Sequence, residues 1–233
     1  MLEKIIKWGL VACLAGAACS GGGKYKVDEA VVSDIPPGEK QELMTWQDER
    51  DRALSEQQLA QADIMTAKQT IKAAQQEVAQ AHASSETIME DLQMAKDRQN
   101  VVLAQRLERE QRIARLADDV AETHLRLSKQ QRKIGEAERA AAGSHLVLAE
   151  ARLEQARAHW AARNGRMPSS KFQIANFDAQ AARAVTNDEQ QRENVMMQLT
   201  LGRVIAQEYS QKLHAYTQAR SEILASTVTT ASR

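Results

Sequence analysis

The sequence predicts an all-α protein with one very long helix, about residues 39–163, and a shorter antiparallel return helix, about residues 171–227, in coiled-coil packing. Only 3% of the 233 residues are aromatic, which is too few for an ordinary globular core because aromatic side chains bury the most area each. Ala, Gln, Glu, Arg and Leu dominate, as in long helices. Apolar residues also recur at coiled-coil spacing through the first helix.

The chain begins with a segment that has the order of a secretory signal. Lys4 and Lys7 precede an apolar stretch over residues 8–18, which closes on small residues. This stretch is shorter than the about 20 residues that a membrane-spanning helix needs. We therefore expect residues 1–18 to be removed as a signal peptide.

This segment resembles a bacterial lipoprotein signal, in which small residues precede a cysteine that is lipidated after cleavage. Here Gly16, Ala17 and Ala18 precede Cys19. The family usually has a large aliphatic residue where Gly16 stands. Cys13 is therefore an alternative, since residues 10–12 match better, although its apolar region is short. A plain cleaved signal without lipid is a third interpretation.

The resemblance implies a palmitate-type lipid anchor on Cys19, and more than one acyl chain gives stable anchoring. In that family an Asp after the cysteine retains lipoproteins in the inner membrane, whereas this chain has Ser20. The resemblance therefore implies an outer-membrane protein that faces the periplasm. Residues 19–38 contain three consecutive glycines and end in Pro36, Pro37 and Gly38, a composition that predicts a flexible tether.

The long helix is predicted because residues 39–163 contain no proline and only two glycines, Gly135 and Gly143. With Leu43 at position a of a heptad, apolar residues fill most a and d positions without a skip. Whether the two glycines form a hinge is open at this stage. We expect an interaction seam at six of these positions: Ile64, Ala67, Ile71, Ala74, Val78 and Ala81.

A helix break followed by a new helix start predicts the hairpin. Asn164 and Gly165 are typical of a helix end, Pro168 prevents immediate continuation, and Ser170 with Gln173 fits a capping box. Large side chains are expected to gather at this turn: Trp160, Phe172, Ile174 and Phe177. Residues 229–233 are expected to form a frayed tail.

The return helix is too short to cover the whole first helix. Residues 106–228 are predicted to form the antiparallel hairpin, and Arg106 and Arg109 interrupt the apolar seam where the return helix would end. Residues 39–105 would then form an unpaired coiled-coil segment. We therefore expect self-association, or another helical envelope protein, to cover residues 40–105.

No motif for catalysis, a cofactor or a metal site is recognised. His82, His124, His145 and His159 share one heptad column, but none are four residues apart, the spacing at which two ligands on one helix can meet. Lys and Arg number 31 against 31 Asp and Glu, which argues against a nucleic-acid partner. We expect a non-enzymatic lipoprotein that acts as a spacer, tether or docking rod in the cell envelope. The alternative is an accessory helical hairpin of an efflux or secretion assembly.

Overall fold

The computed structural model describes residues 25–33, 35–166 and 173–231. They form helix α1 (Glu29–Ser33), a 3-10 turn (Pro37–Glu39), and the long helices α2 (Gln41–Asp97), α3 (Val101–Arg163) and α4 (Ile174–Ala231). These ranges contain no strand. Helices α2 and α3 pack against each other and against α4, so the predicted all-α, coiled-coil-like class is confirmed.

The chain divides into two compact units. The first unit is Met1–Gln61 with Glu136–Val195, and the second is Ala62–Gly135 with Met196–Arg233. Each unit contains a segment of α2, α3 and α4. In the second unit Glu77 pairs with His124 and Lys96 with Glu108, so α2 and α3 run antiparallel.

The prediction of one unbroken helix over 39–163 is wrong, because the chain reverses between α2 and α3. Gln99 has a φ of 55°, the left-handed conformation that ends many helices. The Gln99 N–H donates to the Lys96 carbonyl and the Asn100 N–H to the Ala95 carbonyl, both at 2.9 Å. This is a Schellman motif that satisfies the last carbonyls of α2.

Asn100 also starts the next helix. Its Oδ1 accepts the Leu103 N–H at 3.1 Å, and its carbonyl accepts the Ala104 N–H at 2.9 Å. Asn100 is therefore the N-cap of α3 as well as the last residue of the Schellman motif. Asn100 thus serves both helices, and the reversal contains no glycine or proline.

The second turn follows the sequence prediction where it is described. Gly165 has a φ of 63° and its N–H donates to the Ala162 carbonyl at 3.2 Å, while the Arg166 N–H donates to the Ala161 carbonyl at 2.9 Å. Asn164 and Gly165 thus end α3 as predicted. Pro168, Ser170 and Phe172 lie outside the described residues, and Gln173 directly precedes α4.

Helix α4 is longer than the predicted return helix of 171–227. It continues to Ala231, so residues 229–231 of the expected frayed tail are helical, and residues 232–233 are outside the described part.

The packing of α3 differs from the predicted seam in one respect. In α2 the buried residues occupy a and d positions, as expected. In α3 the d column is buried from Thr123 to Ala158, but the second buried column is b rather than a. This small-residue column consists of Leu107, Ala114, Ala121, Ser128, Gly135, Ala142, Ala149 and Ala156. It is buried because α3 packs against two neighbouring helices and so covers a wider stripe of its surface.

Gly135 belongs to this column and therefore has a packing role. Gly135 is buried. A Cβ built on Gly143 would lie 3.5 Å from Gln57 Nε2 of α2, which is an ordinary contact. Helix α3 continues through both glycines without a break.

Candidate functional site

The N-terminal segment, defined here as residues 25–33 and 35–38, is packed against the first unit. This corrects the prediction of a flexible tether for those residues. Val27 and Ile35 are buried, at 9% and 3% exposure. Ile35 lies with Leu43, Leu153 and Trp160, whereas Val27 lies with Ala158 and Phe177. Burying each such aliphatic side chain contributes roughly 1.5–3 kcal/mol, which explains why these residues pack rather than extend into solvent.

Polar contacts fix the same segment. The Val27 N–H donates to Glu154 Oε2 at 2.7 Å, and Glu154 is itself buried and held by Arg157 at 2.6 Å. The Tyr25 N–H donates to Gln180 Oε1 at 3.3 Å. A buried carboxylate needs such partners, since an unpaired one carries a large desolvation cost. The segment therefore supplies part of the environment that lets Glu154 be buried.

The large residues predicted to gather at the α3–α4 turn do so only in part. Trp160 and Phe177 are buried, Ile174 is half-buried, and Phe172 is outside the described residues. The Trp160 Nε1–H donates to Glu39 Oε2 at 2.6 Å. Trp160 and Phe177 belong to different clusters, each completed by the N-terminal segment, and sequence reasoning missed that contribution. The sequence signal that could have predicted this packing is the placement of Val27, Val31, Val32 and Ile35 among polar residues.

The expected interaction seam is buried or half-buried inside the chain. Ile64, Ala67 and Ala74 are buried, and Ile71, Val78 and Ala81 are half-buried. Neighbouring α2 residues pair with α3, as in the 2.7 Å contact between Glu77 and His124 Nδ1. The prediction that residues 39–105 are unpaired is therefore wrong, because the reversal at Gln99 supplies the antiparallel partner from the same chain.

The four histidines of the shared column each meet a carboxylate of another helix. In the second unit His82 lies 3.4 Å from Glu122 and His124 lies 2.7 Å from Glu77. In the first unit His145 lies between Glu49 and Glu56, at 3.5 and 3.7 Å, and His159 Nε2 is 2.9 Å from Asp178 Oδ1. These contacts are ionic only when the imidazole is protonated. They link helices rather than gather into one site.

Two carboxylates at helix contacts have a lowered pKa. The pKa of Asp178 lies below its ordinary value because the Gln155 amide donates to it, and the His159 ring adds a second hydrogen bond. The pKa of Glu208 is lowered first by its bond to Lys212 and then by Arg126. Both carboxylates are therefore ionised at neutral pH, and each contacts an α3 side chain from α4.

Exposed apolar residues are concentrated at two places in the second unit. At the α2–α3 turn, Val101 and Val102 are 64% and 80% exposed, and Leu103 follows them. On α4, Met197, Leu201 and Val204 are exposed at spacings of four and three residues, which places them on one face. A run of exposed apolar residues is unusual on a protein surface without a partner.

Cys19, Ser20 and the alternative Cys13 lie outside the described residues. In the described ranges, no three histidine, cysteine, aspartate or glutamate side chains lie close enough together to hold a metal ion. None of the helices in the described part of the chain has an apolar stretch sufficient to cross a bilayer. No protein-family model, no curated protein and no solved structure matches this chain.

Proposed function

We propose that this protein is a non-enzymatic lipoprotein, anchored through Cys19 in the outer membrane and facing the periplasm, where its helices act as a spacer or tether. The observation that carries the proposal is the order of residues 1–19, with lysines, an apolar stretch and small residues directly before Cys19. The long antiparallel helices that follow suit a structural role, because their interior consists mainly of alanine and other apolar side chains.

The packing of α2 within the chain limits where a partner protein could bind. Residues 40–105 were expected to bind a second copy or another helical envelope protein, but their seam is occupied within the chain. A macromolecular partner would therefore contact an outer face. The candidates are the exposed residues Met197, Leu201 and Val204 of α4 and those of the α2–α3 turn.

The anchor is tested by labelling cells with a radioactive fatty acid and isolating the protein. We expect label in the wild type and in the matched control Cys13→Ser, and none in Cys19→Ser. Label that persists in Cys19→Ser but is absent from Cys13→Ser would show that Cys13 carries the lipid. A wild-type protein without label would refute the lipoprotein proposal.

Sorting is tested separately by density-gradient separation of the membranes. The labelled wild type is expected in the outer-membrane fraction, and Ser20→Asp is expected to shift the protein to the inner-membrane fraction. Ser20→Thr is the control, since it leaves no acidic residue after the cysteine. A wild type that sediments with the inner membrane would contradict the proposed location while leaving the anchor intact.

The exposed α2–α3 turn favours a second candidate function, an accessory hairpin of an efflux or secretion assembly. Such a hairpin would dock through Val101, Val102 and Leu103. A photo-crosslinking residue at Val102 should then capture an envelope transport protein, whereas the same residue at the exposed Arg112 should not. Equal capture at both positions would reject this candidate.

A further inference from the structure

The N-terminal segment is fixed to the first unit from its first described residue. The Tyr25 N–H donates to Gln180 Oε1, and the Tyr25 ring lies 5.9 Å from the Phe177 ring. Two residues later Val27 is buried and its N–H donates to Glu154 at 2.7 Å. The chain that leads to Cys19 therefore departs from a defined point on α3 and α4.

That point is close to the α3–α4 turn. Helix α4 begins at Ile174, so Phe177 and Gln180 are three and six residues into it. At 1.5 Å per residue, Gln180 lies about 9 Å from the start of α4 along its axis. Helix α3 ends at Arg163 at the same turn.

The covalent distance from Cys19 to this point is short. Only residues 20–24 separate Cys19 from Tyr25. Six residue steps of at most about 3.6 Å each span no more than about 22 Å, even in a fully extended chain. A lipid on Cys19 therefore limits how far Tyr25 can lie from the membrane.

We infer that the end of the first unit formed by Tyr25, Lys26, Arg163 and Asn164 lies against the phospholipid headgroups. This inference rests on the proposed lipid anchor at Cys19. Lys26 and Arg163 are exposed, and the exposed Asp28 and Glu29 follow Lys26 by two and three residues along the chain, so both signs of charge lie near this end. Such a surface suits zwitterionic headgroups, and the acyl chains rather than the charges supply the membrane affinity.

The experiment uses the full lipidated chain in phosphatidylethanolamine and phosphatidylglycerol vesicles that contain a lipid with a nitroxide on its headgroup. A fluorophore is attached to a single introduced cysteine in Lys26→Cys, Arg163→Cys or Glu193→Cys, all at exposed positions. Glu193 is the matched control within the first unit, because it lies 19 residues into α4, about 29 Å along the helix. We expect quenching at residues 26 and 163 to be several times that at residue 193.

A lengthened chain provides a second measurement. Inserting 20 Gly and Ser residues between Gly23 and Lys24 adds a flexible coil with an end-to-end distance of about 25 Å. Quenching at residues 26 and 163 should then fall to the level of residue 193, and raised salt should change it little in the parent chain.

The possible results distinguish failure of the proposed lipid anchor from failure of the proposed orientation. Intact-mass analysis of each sample first reports the lipid on Cys19, and a chain without that mass would refute the anchor and with it this orientation. A lipidated chain with equal quenching at residues 26, 163 and 193 would refute the orientation alone. Strong quenching that survives the insertion would also refute it, because the short connection would then not be its cause.

Discussion

Replacing Gln99 with glycine tests the reversal between α2 and α3, on which the arrangement of the second unit depends. Gln99 has a φ of 55°, which costs a residue with a Cβ roughly 1–2 kcal/mol. Glycine avoids this cost but loses roughly 0.5–1 kcal/mol through the greater freedom of the unfolded chain. We expect Gln99→Gly to raise the free energy of unfolding by roughly 0.5–1 kcal/mol.

Asn100→Ala should have the opposite effect. The variant lacks the Oδ1 atom that accepts the Leu103 N–H, and the loss of an N-cap costs about 1 kcal/mol. If residues 97–101 instead formed the interior of one helix, Gln99→Gly would lower the free energy of unfolding and Asn100→Ala would raise it. Glycine would then cost about 0.8–1 kcal/mol, and alanine would be favoured over asparagine.

Urea denaturation of the chain from residue 20 onward, followed by far-ultraviolet circular dichroism, measures both effects. Gln76→Gly is the matched control, because it makes the same substitution at an exposed position inside α2. It should lower the free energy of unfolding by about 0.8–1 kcal/mol. A Gln99→Gly variant as destabilised as Gln76→Gly, at an equal denaturant slope, would refute the reversal at this position.

Three further outcomes are expected. Because the folded-state pKa of Asp178 is lowered, its ionised carboxylate stabilises the fold above its ordinary pKa of 3.8, and this stabilisation is lost as pH falls through the folded-state pKa. The midpoint temperature of thermal unfolding should therefore fall less steeply between pH 6 and pH 2 for Asp178→Asn than for the parent chain. Phe177→Ala should cost about 3–5 kcal/mol by urea denaturation, because Phe177 is only 1% exposed, and a loss below 1 kcal/mol would contradict its place in the core. Gly143→Ala should stabilise by about 0.8–1 kcal/mol, whereas Gly202→Ala should gain less, because its Cβ would meet Ile134 Cδ1 at 2.9 Å; equal gains would contradict that contact.

Much of the fold could be predicted from the sequence because helix formation here depends on composition and period. The absence of proline over residues 39–163 and the few aromatic residues indicated long helices, and these are present. The end of α3 was also predictable, since Asn164 and Gly165 provide the left-handed residue that the chain needs there. Such local signals depend on only a few neighbouring residues.

The reversal at Gln99 could not be predicted in the same way. A glutamine with positive φ carries no sequence signature, and Asn100, although asparagine is a preferred N-cap residue, is by itself a weak signal for a helix start. Apolar residues fill most a and d positions on both sides of the turn, so the periodicity predicts one helix, although Arg106 and Arg109 interrupt the seam just after the turn. Two predictions depended on missing this reversal: the unpaired segment over residues 39–105 and the partner expected to cover it.

The candidate site was predicted less completely than the fold. The resemblance to lipoprotein signals directs attention to Cys19, but it carries no information on how Tyr25 and Val27 pack. Their partners Gln180 and Glu154 are more than 120 residues away in the chain. Contacts of such separation depend on which helix ends meet, and that follows only from the complete fold.

The small-residue column of α3 implies a particular tolerance to mutation. Because the helices around α3 approach it over alanine, serine and glycine, each buried position accepts side chains by volume rather than by polarity. Ser128 already stands among alanines there, and exchanges among these three residue types should leave the packing intact. Valine or leucine at Ala121 or Ala142 would separate the helices although both are apolar, so a systematic substitution scan should rank these positions by size.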